Sequence, residues 1–411
     1  MDEIDVPSYF LCPISLQIMR DPVIVSTGIT YDRESIERWI FSSKNSTCPV
    51  TKQVLPDADL TPNHTVRRLI QAWCTLNASY GVERIPTPKP PIDKTQITKL
   101  LNDAKVPQLK MKSLRKLRSI AIESERNKRC MEAAGVIESL ASIVNNDNFT
   151  AIEEASNDGF EFTRASDEAL TILSHLQISG QGLKNLIGKN GEFIESLMRV
   201  LQRGSCQSRA YAAMLLKSMF EVADPIQLIS LRSEFFTEIV HLLRDQISHQ
   251  ASKAALKLLV ELCPWGRNKI KAVEAGAVSV LVELLLDRLE KRACEMMLVA
   301  LDQLCGCAEG RAELLKHDAG LAVVSKKIIR VSPLASERGV RILSSISKFS
   351  ATSSVLQEMV QVGVVSKLCL VLQVECSIKT KEKAREILRL HSRVWMNASC
   401  IPGHLLSSYP S

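Results

Sequence analysis

The chain has 411 residues, of which 45% are hydrophobic and 5% aromatic, and 52 basic and 45 acidic residues give it a net charge of +7. This length exceeds one ordinary domain, and the low aromatic content favours helices rich in Leu, Ala, Val and Ile over a β-sandwich. Charges of both signs are interspersed, which argues against nucleic acid as a partner. We therefore expect two domains that are mainly helical.

The amino terminus and the apolar runs both give information about the cellular location of the protein. Residues 1–7 carry acid where a secretory signal needs base, and they contain no apolar h-region. The longest apolar runs, such as Val278 to Leu286, are too short to cross a bilayer. We expect a cytoplasmic protein without a transmembrane segment, with the nucleus and the membrane periphery as further locations.

The first 80 residues keep the spacing of a zinc finger while lacking most of its ligands. If the chain is aligned with a cross-braced RING finger, the ligand places fall on Cys12, Ser15, Thr27, Ile29, Asp32, Ser35, Cys48 and Thr51. Zinc requires thiolate, imidazole or carboxylate donors in sets of four. These places supply two thiols and one carboxylate, so the chemistry predicts no metal, and we expect no other cofactor.

Three short elements are predicted in this region. The β-branched run over 23–25 ends at Ser26-Thr27-Gly28, which indicates a strand and a turn. Asp32 is placed to cap a helix, and Asn63 is placed to cap a second one. The apolar stripe of the first helix is Ile36, Trp39 and Ile40, and that of the second is Val66, Leu69, Ile70 and Trp73.

This ordered set resembles the U-box, the metal-free relative of the RING finger. The match runs from about Pro7 to Trp73, and we assign the domain to residues 7–80. It includes Phe10, Cys12-Pro13-Ile14, Met19, Asp21-Pro22-Val23, the run from Gly28 to Arg33, Trp39, Cys48-Pro49, Thr51, Pro62-Asn63 and Ile70. The resemblance implies that hydrogen bonds and packing hold the loops that zinc would hold. We expect a polar network made by Ser15, Asp32, Ser35, Cys48, Thr51 and Asn63.

The remainder of the chain indicates a linker and a helical repeat. Four prolines within residues 81–96 favour an extended spacer. From residue 97 to about Trp395 the pattern is helical and repeats with a period near 42, marked by Gly135, Gly191, Gly276, Gly320 and Gly363. A degenerate copy without glycine lies near residue 233. The period resembles armadillo repeats, of which we predict five to six stacked as an α-solenoid.

Three segments remain without an assigned role. An acidic insertion at about 145–163 is expected to be a loop, and residues 396–411 form a tail. A basic cluster lies between Lys110 and Arg118 on a predicted helix. It is interpreted as a solvated face, with an acidic partner or membrane headgroups as the alternative.

A U-box followed by armadillo repeats resembles the plant U-box ubiquitin ligases, and its short architecture is similar to the subgroup linked to immune and stress signalling. The resemblance implies scaffolding: the U-box binds a ubiquitin-conjugating enzyme that carries ubiquitin as a thioester, and the repeats hold a protein substrate. Transfer to substrate lysines and to the ligase itself would follow without a covalent intermediate on this chain. No catalytic residue is therefore expected, and the U-box is also a candidate for self-association.

The resemblance also implies which residues contact the conjugating enzyme. They are Ile14, Trp39 and Pro49, with Cys12 and Pro13 beside them. Many relatives have an arginine that bridges the conjugating enzyme and ubiquitin, and here that place holds Lys52. Lysine keeps the charge but lacks the planar fork.

The main alternative is a non-catalytic armadillo adaptor with an inactive U-box. An importin-like cargo receptor would need repeated W-x-x-x-N arrays, and Trp73 to Asn77 provides a single instance. A ligase with its own catalytic cysteine would need an activated, accessible thiol. No cysteine of the repeats stands out in this way.

Overall fold

The computed structural model describes residues 5–42, 45–56, 59–85, 92–146, 164–188, 191–287 and 290–395. The chain divides into two compact units, Met1–Ser139 with His175–Gln177, and Leu140–Ser174 with Ile178–Ser411. Most of the predicted insertion, six residues of the predicted linker (86–91) and the tail 396–411 lie outside the described residues. The linker was expected to separate two parts, yet the first unit contains both the amino-terminal domain and the first helices that follow it.

The amino-terminal domain is a small antiparallel sheet with two helices. Its strands are β1 (Pro22–Ile24), β2 (Thr30–Asp32) and β3 (Thr61–Pro62), in the order β2-β1-β3. Its helices are α1 (Arg33–Glu37), which continues as a π-helical turn over Arg38–Ser42, and α2 (His64–Leu76). Short 3-10 turns lie at Ser8–Phe10 and Ala78–Tyr80. The β1 strand begins one residue earlier than the predicted strand and ends at Ile24.

One apolar cluster holds these elements together. Val23 and Tyr31, paired across β1 and β2, are fully buried together with Ile36 from α1. Ile70 from α2 closes the cluster. The predicted stripe of α2 is correct for Val66, Ile70 and Trp73, whereas Leu69 is 50% exposed and belongs to the solvent face.

The following 21 helices carry the repeat. They are α3 (Lys94–Asp103), α4 (Pro107–Glu123), α5 (Glu125–Ala133), α6 (Val136–Asn145), α7 (Ala165–His175), α8 (Gly180–Ile187), α9 (Glu192–Arg203), α10 (Cys206–Phe220), α11 (Pro225–Ile229), α12 (Ser233–Asp245), α13 (His249–Leu262), α14 (Asn268–Glu274), α15 (Ala277–Leu286), α16 (Lys291–Leu304), α17 (Ala308–Lys316), α18 (Gly320–Lys327), α19 (Pro333–Phe349), α20 (Ser353–Gln361), α21 (Val364–Gln373), α22 (Ile378–Leu390) and α23 (Ser392–Trp395). From α5 to α22 the helices follow in groups of three, and the third helices of these groups are α7, α10, α13, α16, α19 and α22. The helix α12 is the degenerate copy predicted near residue 233.

The third helices of successive repeats stack on one another in the second unit. The helix α10 packs on α13, α13 on α16, α16 on α19 and α19 on α22. Four of these helices begin at a serine whose hydroxyl accepts a backbone N–H bond, at Ser205, Ser248, Ser332 and Ser377. The mainly α fold and the armadillo-type solenoid are therefore as predicted. Among the described residues no single helix is long and apolar enough to span a bilayer. The helices α20 and α21, which are bent by 63° relative to each other, reach that length and apolarity only when they are taken as a pair.

The repeated glycines serve two different purposes. Gly276 precedes α15 with a φ of +84°, a left-handed conformation that glycine adopts without strain. Gly320 is instead required by a close approach, because a Cβ there would lie 2.0 Å from the carbonyl oxygen of Leu314. The degenerate copy enters α12 at Arg232 with a φ of −77°, so no glycine is needed.

Candidate functional site

Two loops of the amino-terminal domain have the same backbone hydrogen bonds. In the first loop (residues 12–17) the Cys12 N–H donates to the Gln17 carbonyl at 2.9 Å. In the second loop (residues 48–53) the Cys48 N–H donates to the Gln53 carbonyl at 2.8 Å. Each loop follows the pattern Cys-Pro-[Ile/Val]-[Ser/Thr]-x-Gln. The loops that bind zinc in a RING finger are therefore replaced here by two copies of one closed turn.

The fifth residue of each loop has a left-handed backbone. Leu16 has a φ of +57° and Lys52 a φ of +60°. Their N–H groups donate to the carbonyls of the loop cysteines, at 2.8 Å for Leu16 and 2.9 Å for Lys52. A non-glycine residue adopts this conformation when surrounding contacts fix it, and such residues are found at functional sites. Both side chains are exposed.

The first loop is anchored to strand β2 through sulfur and carboxylate. The buried Cys12 Sγ accepts the Asp32 N–H at 3.3 Å, and Asp32 Oδ1 accepts the N–H groups of Arg20 and Asp21 at 2.8 and 2.9 Å. Burial raises the pKa of the Cys12 thiol, but N–H donors from Ser15, Asp32 and Ile14 outweigh burial and lower it.

Two expectations for these residues were wrong. Asp32 was expected to cap α1, but its side chain makes no cap bond and faces the first loop. Cys12 was placed on the docking surface, yet its exposed fraction is 0%, so it supports the loop from inside.

The second loop is anchored around the Cys48 sulfur. Cys48 Sγ lies 3.3 Å from the donating Thr27 Oγ1, 3.1 Å from Tyr31 Oη and 3.5 Å from the Thr51 nitrogen. Burial raises the pKa of this thiol, but hydrogen bonds from Thr27, Thr51 and Tyr31 lower it to about 6. Burial, together with Cys48, raises the pKa of Tyr31. Tyr31 Oη also accepts the Val50 N–H at 3.3 Å, so one buried hydroxyl contacts two residues of the turn, Cys48 and Val50.

Tyr31 was not identified from the sequence. It lies outside the eight ligand places, between Ile29, whose side chain offers no polar atom, and Asp32. The only signal was an aromatic residue with a hydroxyl within the run from Gly28 to Arg33. Its hydroxyl supplies the polar group that Ile29 lacks.

The other members of the expected network are partly confirmed. Asn63 caps α2 by accepting the Val66 N–H at 3.1 Å, and its amide donates to Thr30 Oγ1 at 3.2 Å. Ser15 Oγ accepts the Gln17 N–H at 3.4 Å. Ser35 is half-buried, and its hydroxyl makes no hydrogen bond within the described part of the chain, so it does not belong to this network.

A charged pair that the sequence did not indicate also fixes β1 to α1. Arg33 Nε donates to Asp21 Oδ2 at 2.6 Å, and the two side chains are only 15% and 22% exposed. Charge-assisted bonds of this kind are about twice as strong as neutral ones. Across the described residues, no group of three or more His, Cys, Asp or Glu side chains has the arrangement to hold a metal ion.

The apolar residues assigned to docking lie around this scaffold. Ile14 in the first loop and Trp39 in the π-helical turn are half-buried and pack against the core cluster. Trp39 Nε1 donates to the Thr47 carbonyl at 2.8 Å, which ties the helix to the start of the second loop. Pro49 is half-buried and Pro13 is exposed. A π-helical turn inside a helix often marks a functional position.

Ion pairs join the third helices of neighbouring repeats. Asp302 on α16 pairs with Arg338 and Arg341 on α19 at 3.0 and 2.8 Å. Lys348 on α19 pairs with Glu386 on α22 at 2.6 Å. These pairs link neighbouring repeats along one face of the stack.

Comparisons with known proteins agree with this architecture. Residues 6–79 match the family described as "U-box domain", and residues 96–411 match "Plant U-box protein ARM repeat region". The chain is 57% identical over 415 residues to E3 ubiquitin-protein ligase PUB23 of Arabidopsis thaliana, covering 100% of this chain and 98% of the relative. It is 55% identical over 432 residues to E3 ubiquitin-protein ligase PUB22 of the same plant, covering 100% and 99%.

A solved structure from a study of the interaction between cadherin and beta-catenin shares the fold. It aligns with a TM-score of 0.59 at 14% identity, covering 82% of this chain and 58% of that one. At this identity the likeness concerns the fold alone. The two family matches together span nearly the whole chain, and both relatives align end to end with it. The chain belongs to the plant U-box family of E3 ubiquitin-protein ligases that carry an armadillo repeat region.

Proposed function

We propose that Ile14, Trp39 and Pro49, with Pro13 beside them, form the surface that docks a ubiquitin-charged conjugating enzyme. The main support for this proposal is the pair of matching turns. In each turn a buried cysteine anchors the backbone, and an apolar residue lies close to that cysteine in the sequence. Single exposed apolar side chains are common on protein surfaces, but clusters of them mark interaction sites. The bond from Trp39 to Thr47 would keep the helix and the second loop in one arrangement.

Ligase activity would then come from positioning. The reactive thioester belongs to the conjugating enzyme, and the ligase holds it near a substrate lysine, so that an encounter between separate molecules becomes a reaction within one complex. No side chain of this chain needs to form a bond to ubiquitin. Lys52, exposed at the fifth position of the second loop, is the residue proposed to contact ubiquitin.

We place the protein substrate on the face formed by the third helices of the repeats. Armadillo repeats stack to give extended surfaces suited to binding other proteins. The ion pairs from Asp302 and Lys348 show that this face carries charged groups of both signs. Lysines of the ligase itself are a second destination for ubiquitin.

The subgroup resemblance supports a role in plant defence or stress signalling. A cytoplasmic location is part of the same proposal. Self-association through the U-box is a further proposal, and sedimentation of the purified chain at increasing concentration tests it.

An in vitro ubiquitination assay tests the proposed function. The purified chain is incubated with ubiquitin, activating enzyme, a permissive conjugating enzyme and ATP, in parallel with Trp39→Ala. The matched control is Leu76→Ala, which removes an 80% exposed apolar side chain from α2. We expect ladders from the parent and the control, unaffected by chelator treatment of the ligase, and none from Trp39→Ala. A folded parent that gives no ladder with several conjugating enzymes would favour the adaptor alternative.

A further inference from the structure

One arginine of the repeat region reaches the helix that carries Trp39. Arg129 lies on α5, and its guanidinium carbon is 3.5 Å from the ring centroid of Phe41. A terminal nitrogen of the same guanidinium is 3.6 Å from Glu37 Oε1. Both partners lie in the first compact unit, as Arg129 does. A single side chain thus contacts two successive turns of the α1 helix and its π-helical extension.

The Glu37 carboxylate depends on this contact. Its side chain is only 4% exposed, Arg33 lies 3.9 Å away, and the charge of Arg126 also acts on the carboxylate. Burial raises the pKa of Glu37, while the charges of Arg129 and Arg33 counteract part of that increase. A buried carboxylate that loses a cation is either destabilising or becomes protonated.

The contact extends into the amino-terminal domain as a line of alternating charges. Arg129 faces Glu37, Glu37 faces Arg33, and Arg33 is bonded to Asp21 at 2.6 Å. Asp21 in turn donates its backbone N–H to Asp32, the carboxylate that anchors the first loop. This series of contacts connects Arg129 with the helix and the loop that flank the docking surface.

Trp39 lies between the two points of contact. Glu37 precedes it by two residues and Phe41 follows it by two, and all three belong to the same helical segment. The Trp39 indole is already fixed at its outer end by the Thr47 carbonyl. Arg129 contacts the same segment through the side chains of Glu37 and Phe41.

We propose that Arg129 is a positioning residue for ubiquitin transfer: it couples the first repeats to the docking helix and holds Trp39 in the orientation that the conjugating enzyme binds. The inference rests on the proposed docking function of Trp39. It makes the armadillo region part of the ligase surface as well as the holder of substrate. Arg129 itself does not touch the conjugating enzyme.

The test compares variants of the full chain in the discharge of ubiquitin from a charged conjugating enzyme. The variants are Arg129→Met, which removes charge and stacking, and Arg129→Lys, which keeps the charge. The matched control is Arg115→Met, which removes an exposed arginine from α4. We expect Arg129→Met to raise the half-saturating concentration of the conjugating enzyme by about fivefold and to leave the maximal rate unchanged. A change of about fivefold is the effect expected from losing roughly one exposed cation–π contact and one ion pair. Arg129→Lys should lie between parent and Met, and Arg115→Met should equal the parent.

A double variant guards against misfolding. In the double variant Glu37→Gln with Arg129→Met, the Glu37 carboxylate that lost the charge of Arg129 is no longer present. The contact between residue 129 and the Phe41 ring is still missing. We expect the double variant to keep the raised half-saturating concentration, and hydrogen exchange of residues 33–42 should be faster than in the parent.

The outcomes separate the two proposals. If Arg129→Met discharges ubiquitin like the parent while Trp39→Ala is inactive, the role of Arg129 is overturned and the docking proposal stands. Trp39→Ala equal to the parent overturns docking itself. An equal fall in maximal rate for Arg129→Met and Arg115→Met would also overturn the inference, because it would reflect loss of charge alone.

Discussion

Replacing Tyr31 by Phe removes one oxygen from the centre of the amino-terminal domain. The side chain is fully buried, so the ring stays in place and only the hydroxyl is lost. The hydroxyl contacts Cys48 Sγ at 3.1 Å and accepts the Val50 N–H at 3.3 Å. The substitution therefore removes two hydrogen bonds, one to the buried Cys48 sulfur and one to the N–H of Val50, a residue that is 51% exposed. Each such loss costs about 1 kcal/mol or more, so we expect the second loop to be destabilised by roughly 2 kcal/mol.

Hydrogen exchange measured by mass spectrometry on the full chain detects this change. A destabilisation of roughly 2 kcal/mol corresponds to about thirtyfold faster exchange in peptides that cover residues 46–55, where the opening equilibrium controls the rate. The matched control is Tyr80→Phe, because Tyr80 is 68% exposed and its hydroxyl faces solvent. Equal exchange in Tyr31→Phe and Tyr80→Phe would refute the role of the hydroxyl. Docking should weaken in Tyr31→Phe, since Pro49 belongs to the loosened loop.

Three further predictions concern single charges. Lys52→Arg should speed discharge of the ubiquitin thioester, because arginine adds a planar fork; a variant no faster than the parent would show that this position does not contact ubiquitin. The Cys48 thiol has a pKa of about 6 against an ordinary 9.0, so it stabilises the fold fully above pH 9 and loses this effect as the pH falls through 6. Exchange of the second loop, corrected for its intrinsic rate, should slow from pH 6 to 9, and Cys48→Ser should remove this dependence; an unchanged slope would contradict the assignment. Asp302→Asn should cost about 2 kcal/mol in urea unfolding of the repeats, since it weakens two charge-assisted bonds to Arg338 and Arg341; an unchanged midpoint would argue against it.

Local patterns were sufficient to predict much of the fold. Asn63 was assigned as a helix cap because its partner, the Val66 N–H, lies three residues away in the sequence. The helix α12 was found by periodicity even though its repeat has no glycine. Neither prediction needed knowledge of distant residues. The repeats are favourable for this kind of reasoning because each one packs against its neighbours in sequence.

The errors concern contacts between residues far apart in the chain. Asp32 has the sequence context of a helix cap, but the N–H groups of Arg20 and Asp21, more than ten residues earlier, compete for its carboxylate. Tyr31 was missed because its partner Cys48 is 17 residues away. Arg129 lies about 90 residues beyond Phe41, and no local pattern relates the two.

The hydrogen bonds around Cys48 have a consequence for the conditions under which the domain can fold. A zinc site consists of a metal cation and the anionic ligands that bind it. It therefore forms only where the metal is available. Around Cys48 the charges are reversed: a sulfur that readily becomes an anion is surrounded by hydroxyl and amide donors from the chain itself. The scarce external ion of a zinc site is thus replaced by hydrogen-bond donors that the chain itself supplies.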